Sequence, residues 1–355
     1  MSIDAPIRTG IIGFGLAGRV FHAPFVATNP AFALTAIATS DADRAAQARA
    51  EHPDAEIMST DALLARAAVG DLDLVILGSP PHVHREQAVA ALEGGAAVVI
   101  DKPFVPSVAD AEAIIAAADK ARRPLMIFQN RRWDGDFRTV TKLVTSGALG
   151  TVHRFESTFE RFGAPKREQW QGQITPAQGG GILFDLGSHL IDQALTLFGP
   201  ATLEVAELRA VREGLASEDD AFVSLRHDSG VRSHLTMSRV AAQSGPRFRV
   251  LGDESGYSVY GLDGQEPDLK VGRWPGSEGY GVTPKAEWGL LGVDNGEQPL
   301  TPVPTEQGAY PDFYAQVAAS IRDGAAVPVD ARHALETVRI IEQAHALSAR
   351  ASGSL

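Results

Sequence analysis

The chain has 355 residues, 44% apolar and 21% charged, which excludes a disordered or fibrous protein and predicts more than one hydrophobic core. A formal charge of -12, with no basic stripe, excludes a broad nucleic-acid footprint. With no cysteine, disulfides, thiolate catalysis and cysteine-held zinc or iron–sulfur centres are excluded as well.

The opening residues Met1-Ser2-Ile3-Asp4-Ala5-Pro6 lack the basic and apolar regions of a secretory signal. No apolar run approaches the ~20 residues that cross a bilayer. The expectation is a cytoplasmic protein without membrane or nucleic-acid partners. Over residues 1–128, short apolar runs alternate with amphipathic helical patterns. The runs are Arg8–Ile12, Ala33–Ala38, Asp73–Leu77, Ala96–Ile100 and Leu125–Phe128, with a weaker one at Glu56–Met58. Continuous apolar strands separated by helices predict a parallel sheet covered on both faces, the doubly wound Rossmann arrangement of an α/β protein.

Gly13-Phe14-Gly15-Leu16-Ala17-Gly18 follows the first strand and opens a helix. The first glycine permits the tight turn, the second lets backbone approach a pyrophosphate, and the third lets helix and strand pack closely. Unpaired N–H groups at the helix start favour the phosphates. Asp41 stands 23 residues beyond Gly18. It either accepts hydrogen bonds from the adenine ribose, which favours NAD, or caps the next helix. Thr39, Ser40 and Arg44 together offer a phosphate site, so NADP stays open. The fourth strand ends in Gly78-Ser79-Pro80-Pro81-His82-Val83-His84, where Ser79, Pro80 and His84 are candidates to line the cofactor bed. Asp101-Lys102-Pro103-Phe104 leaves the next strand at the same edge, where a lysine ammonium can stabilise charge developing on a substrate oxygen.

Gln129-Asn130-Arg131-Arg132-Trp133-Asp134 crosses into a second domain, 129–355, whose C-terminal helix is expected to pack back on the first. Asn130, Arg132 and Trp133 are substrate-binding candidates, and the neighbouring arginine suits a structural ion pair. Residues 151–162 alternate apolar with polar, and further strand patterns lie at about 202–211, 219–227, 231–240 and 246–251. They predict an α+β domain built on an open-faced, mainly antiparallel sheet. Arg161, Arg167 and Trp170 form a candidate substrate wall. A single helix is predicted over about 181–198, with Asp185, His189 and Asp192 at i, i+4 and i+7 on one face. Histidine suits proton transfer near neutral pH, and Asp185 can orient the imidazole or a substrate hydroxyl. No HExxH-type spacing supports a metal. Residues 255–310, dense in Gly and Pro, are expected to be loops crossing the sheet; helices at about 311–323 and 331–349 close the chain.

The strings GFGLAG, SPPHVH, DKP and DLGSH together resemble the Gfo/Idh/MocA oxidoreductases. GLAGRVFHAPF, NRRWDGDF, GGGILFDLGSHLIDQ and DGQE are similar to its subgroup containing scyllo-inositol dehydrogenases. The resemblance spans nearly the whole chain. It implies NAD(P)-dependent oxidation or reduction of a CH–OH or C=O carbon in a cyclic polyol or sugar. Lys102, Asp185 and His189 would be its catalytic set, His189 the proton acceptor and donor, and Pro103 would hold the lysine in place. It also implies a homodimer or homotetramer joined through the open sheet. One departure is Asp101, which the resemblance sets against the cofactor and where the family usually carries glutamate.

Overall fold

A computed structural model describes residues 5–163 and 174–352. Contacts divide the chain into two units. The first comprises Met1–Asn130, Glu266–Tyr280 and Tyr310–Leu335; the second comprises Arg131–Gln265, Gly281–Ala309 and Glu336–Leu355.

Among the described residues, the first unit holds a six-stranded parallel sheet in the order β3-β2-β1-β4-β5-β6. These strands are β1 (Ile7–Ile12), β2 (Phe32–Ala38), β3 (Glu56–Met58), β4 (Leu74–Leu77), β5 (Ala97–Asp101) and β6 (Leu125–Phe128). They fall where the apolar runs predict them. Each residue of β4 is completely buried, the signature of a central strand covered on both faces; every such Val, Leu or Ile contributes about 1.5–3 kcal/mol through burial. The order steps outward from β1 in both directions, so the loops leaving β1 and β4 sit at the switch point of the sheet. Asp41, Ser59 and Ser107 each accept the backbone N–H of the third residue onward, capping the helices Ala42–Glu51, Thr60–Ala68 and Val108–Ala121.

In the second unit, the described strands form an eight-stranded sheet, β14-β13-β12-β11-β7-β10-β9-β8. The five anticipated strands are β7 (Val152–Glu160), β8 (Ala201–Arg209), β9 (Asp220–His227), β10 (Arg232–Ser238) and β11 (Phe248–Gly252). Only the central β7–β10 pair is parallel; the other pairings are antiparallel. Along β7, Phe155, Ser157 and Phe159 are buried while Arg154, Glu156 and Thr158 are not, so one face carries the core and the other stays open. The core face packs Phe155 and Phe248 with Leu183, Phe184 and Leu190, and with Ile340 and Ile341 of the last helix.

Two expectations are corrected. Residues 255–310 are not only loops: β12 (Gly256–Val259), β13 (Gly289–Gly292) and β14 (Thr301–Val303) extend the sheet, and Gln265–Lys270 is helical. Strands this short, containing Gly289, Gly292 and Pro302, carry no periodic pattern and form only because a paired edge already exists. Nor is 181–198 one α-helix. Leu183–Gly187 is π-helical and only Ser188–Phe198 is α-helical. No helix among the described residues is long and apolar enough to cross a membrane.

Candidate active site

In the first unit the glycine turn is dictated by backbone approach. Gly13 has φ +92°, and a Cβ there would stand 2.7 Å from the Gly78 carbonyl oxygen. A Cβ on Gly18 would overlap the Gly13 carbonyl. At Gly15, by contrast, the nearest atom to a Cβ would be Arg44 Nη1 at 3.4 Å, so this side of the turn stays open. The helix that follows begins as a π-helical segment, Ala17–His22, before the α-helical Ala23–Thr28. Such segments concentrate at functional sites. Phe14 is buried and Leu16 exposed. Asp41 Oδ1 accepts the Arg44 N–H at 3.0 Å and Oδ2 lies 3.8 Å from Arg44 Nε. The cap alternative for Asp41 is therefore realised, and the Arg44 guanidinium lies beside Gly15.

Pro80 is exposed, and the Ser79 hydroxyl donates to Gln87 Oε1 at 2.6 Å. The His84 ring is buried, with Nδ1 2.8 Å from the Phe104 carbonyl oxygen and Nε2 2.8 Å from that of Ser79. Burial pushes its pKa down, against the opposing pull of the two carbonyls. Both nitrogens are thus turned to backbone, and the ring links the loops after β4 and β5. Lys102 is half-buried just beyond β5, joined to Pro103 by a cis peptide. Asp101, expected against the cofactor, has Oδ1 3.6 Å from Nε2 of the fully buried His22. His22 Nδ1 in turn lies 2.6 Å from the hydroxyl of Tyr314, which packs among Phe25, Phe128 and Phe313. Burial, with the Asp101 charge adding to it, holds the Tyr314 phenol well above its ordinary pKa. Asn130 is buried.

In the second unit the predicted stripe of Asp185, His189 and Asp192 is divided. The i→i+5 bonding of the π-helical segment winds more residues into a turn, so α-helical spacing no longer aligns Asp185 with Asp192. Asp192 is 2% exposed and takes a bidentate pair from Arg132, Nη2 to Oδ1 at 2.6 Å and Nε to Oδ2 at 2.7 Å. Both Arg132, expected at the substrate, and Asp192 are thereby engaged in a structural pair. His189 is buried at the start of the α-helical part. The Asp185 side chain keeps 38% exposure; it accepts a hydrogen bond from Arg239 Nη2 and lies 3.9 Å from Arg161 Nη2. Arg161 is therefore beside Asp185, as a substrate wall would need, while Arg167 and Trp170 lie outside the described residues.

Residues 7–129 match the oxidoreductase family with an NAD-binding Rossmann fold, and 137–258 match the GFO/IDH/MocA C-terminal domain. The chain is 33% identical to scyllo-inositol 2-dehydrogenase (NADP(+)) IolW of Bacillus subtilis, covering 95% of this chain and 92% of that one. The chain belongs to the GFO/IDH/MocA oxidoreductase family. It is also 37% identical to the oxidoreductase YdgJ of Escherichia coli, over 95% of this chain and 94% of that one. The solved structure of the yvaA oxidoreductase from Bacillus subtilis superposes with a TM-score of 0.89 at 31% identity, covering 98% of this chain and 97% of the other.

The residues of this GFO/IDH/MocA oxidoreductase fit a nicotinamide dinucleotide, since the turn is closed where glycine must admit backbone and open at Gly15. Other family-like strings serve the frame. In NRRWDGDF, Arg131 pairs with Asp134 at 3.0 Å and lies 4.8 Å over the Phe159 ring. Half-buried Trp133 offers its carbonyl to Ala309 N at 2.9 Å and to Gln265 Nε2 at 3.1 Å. Asp263 Oδ2, from the late DGQE, accepts the Gly135 N–H at 2.8 Å. Burial, and then the neighbouring Asp134 charge, push the Asp136 carboxyl up to about 6, although Arg247 stands 3.6 Å away. Residues that the motifs do not announce include Arg239, Glu218, His22 and Tyr314. Only His22 had a sequence signal, its place within GLAGRVFHAPF.

Proposed function

We propose that this oxidoreductase interconverts a secondary alcohol and a ketone in a cyclic polyol or sugar, with His189 moving the hydroxyl proton. The carrying observation is the pair of side chains on one helical stretch: a buried imidazole, and one turn before it a half-exposed carboxylate held by Arg239. When bound, the nicotinamide dinucleotide supplies the two-electron chemistry. His189 accepts the hydroxyl proton in oxidation and returns it in reduction. Asp185 accepts a hydrogen bond from a neighbouring hydroxyl of the substrate and so orients the reacting carbon. By the family likeness, Lys102 supplies a cation against negative charge developing on a substrate oxygen. The polyol class is supported by the subgroup strings and by the inositol relative from Bacillus subtilis.

For the cofactor, β2 is followed by the hydroxyl residues Thr39 and Ser40, and Asp41 caps the next helix through Oδ1. The cationic Arg44 beside Gly15 supports a reading in which it meets a 2′-phosphate, so we favour NADP over the NAD that Asp41 alone suggested. Self-association through the outer face of the eight-stranded sheet belongs to the same reading and is checked by light scattering of the purified chain.

The test is a spectrophotometric panel of inositols, aldoses and keto-sugars with NAD and NADP. An inositol or sugar should be turned over with NADP preferred, and Arg44→Ala should erode that preference. His189→Ala should lower kcat by about 10²–10⁴-fold while the quench of NADPH fluorescence stays unchanged. Full turnover in His189→Ala removes the histidine from the mechanism.

A further inference from the structure

The turn that leads into Asp185 is held by a short acidic segment, Ser217-Glu218-Asp219, just before β9. The Glu218 carbonyl accepts the Ile182 N–H at 3.0 Å, and its Oε1 accepts the Leu183 N–H at 3.1 Å. Gly181, with φ +101°, is required here because a Cβ would strike the Glu218 carboxylate. The Asp219 carbonyl accepts the Arg239 N–H at 2.8 Å, and Asp219 Oδ1 accepts the Val211 N–H at 2.8 Å. The Arg239 carbonyl is bonded by Gly163 N at 3.1 Å and by Arg212 Nη2 at 3.2 Å. Adjacent residues of one segment therefore fix both the backbone before Asp185 and the arginine that grips its carboxylate.

We infer that Arg239 is a positioning residue for the reaction: its guanidinium aims the Asp185 carboxylate outward and keeps it an ionised acceptor for a substrate hydroxyl next to the reacting one, whose own proton passes to His189. This rests on the role proposed above for Asp185. The contrast with Asp192 carries the argument. A pair that serves only the frame hides its carboxylate, and Asp192 is 2% exposed. Here the arginine is covered to the same degree, 15% against 14% for Arg132, but the carboxylate remains 38% exposed. An acid with a covered, hydrogen-bonded cation behind it is favoured in its charged form and can be reached by a ligand from its exposed side. Among the described residues, the charged and titratable groups around it include Arg239, Arg161 at 3.9 Å, and the Glu218 carboxyl at the Leu183 N–H.

The experiment compares wild type, Arg239→Gln, Arg239→Lys, Asp185→Asn and the Arg239→Gln/Asp185→Asn double variant, using the panel compound that turns over fastest. Arg239→Gln should lower kcat about 10²-fold with KM and NADPH fluorescence quench little changed, and should move the acid limb of kcat to higher pH. Arg239→Lys should restore the acid limb and part of kcat. The double variant should be no slower than Asp185→Asn alone. In parallel, the 13C carboxyl resonance of Asp185, assigned by its loss in Asp185→Asn, should titrate at least about 1 unit higher in Arg239→Gln. Unchanged kcat in both Arg239 variants, or a loss that persists once residue 185 is Asn, overturns the inference. If Arg239→Gln does not fold, Arg239→Lys in the two backgrounds makes the same decision. Full turnover in Asp185→Asn is a different outcome, which removes the role of Asp185 itself.

Discussion

The two units support their candidate functional residues by different means. In the first, the glycine turn is shaped by what is missing: side chains at Gly13 and Gly18 would strike backbone, and Gly15 stays open. In the second, the Asp185–His189 stretch is held by polar side chains, through the ion pairs of Arg239 on Asp185 and Arg132 on Asp192 and the hydrogen-bonded Glu218 carboxyl on the helix start. Steric necessity leaves a mark in the order of residues, because only glycine satisfies it. Charge pairing across distant segments leaves none, since each partner alone is an ordinary surface-type residue.

This contrast makes substitutions in the second unit the more damaging ones. Arg132→Ala would strand the buried Asp192 carboxylate, and the expected loss is about 3–5 kcal/mol, read as a shift of the urea midpoint. A loss below about 1 kcal/mol would show that the pair is no anchor. Glu218→Gln sharpens the point through pH. Burial raises this carboxyl from 4.5 to about 7, so the folded state holds its proton longer than the unfolded chain. The contribution of Glu218 is therefore fully favourable below 4.5 and is lost as pH rises through about 7. Gln does not titrate, so the variant should gain on wild type by up to about 3 kcal/mol at pH 8 relative to pH 4. Parallel stability curves for the two proteins would refute it. The smallest effect belongs to the first unit. Asp41→Ala removes an exposed cap and should cost about 1 kcal/mol, with the ratio of NADP to NAD turnover little changed. A large swing in that ratio would return Asp41 to the ribose.

Much of the fold was legible in the order of residues. Continuous apolar runs marked β1 to β6, and alternation marked β7 to β11, because a strand covered on two faces and one covered on one face need different patterns. The glycine turn, Lys102 at the end of β5, and Asp185 and His189 on one helical stretch were legible too. Other features were decided only in three dimensions. Strands β12 to β14 are too short for a period and exist by pairing with a preformed edge. The π-helical segment before Ser188 took Asp185 out of register with Asp192, and Asp192 went to Arg132, 60 positions away in the chain. Arg239 reached Asp185 across 54 positions. Local periodicity and steric exclusion are written in neighbouring residues, whereas the choice of partner for a charge depends on which remote segments the packed sheet brings within hydrogen-bond reach.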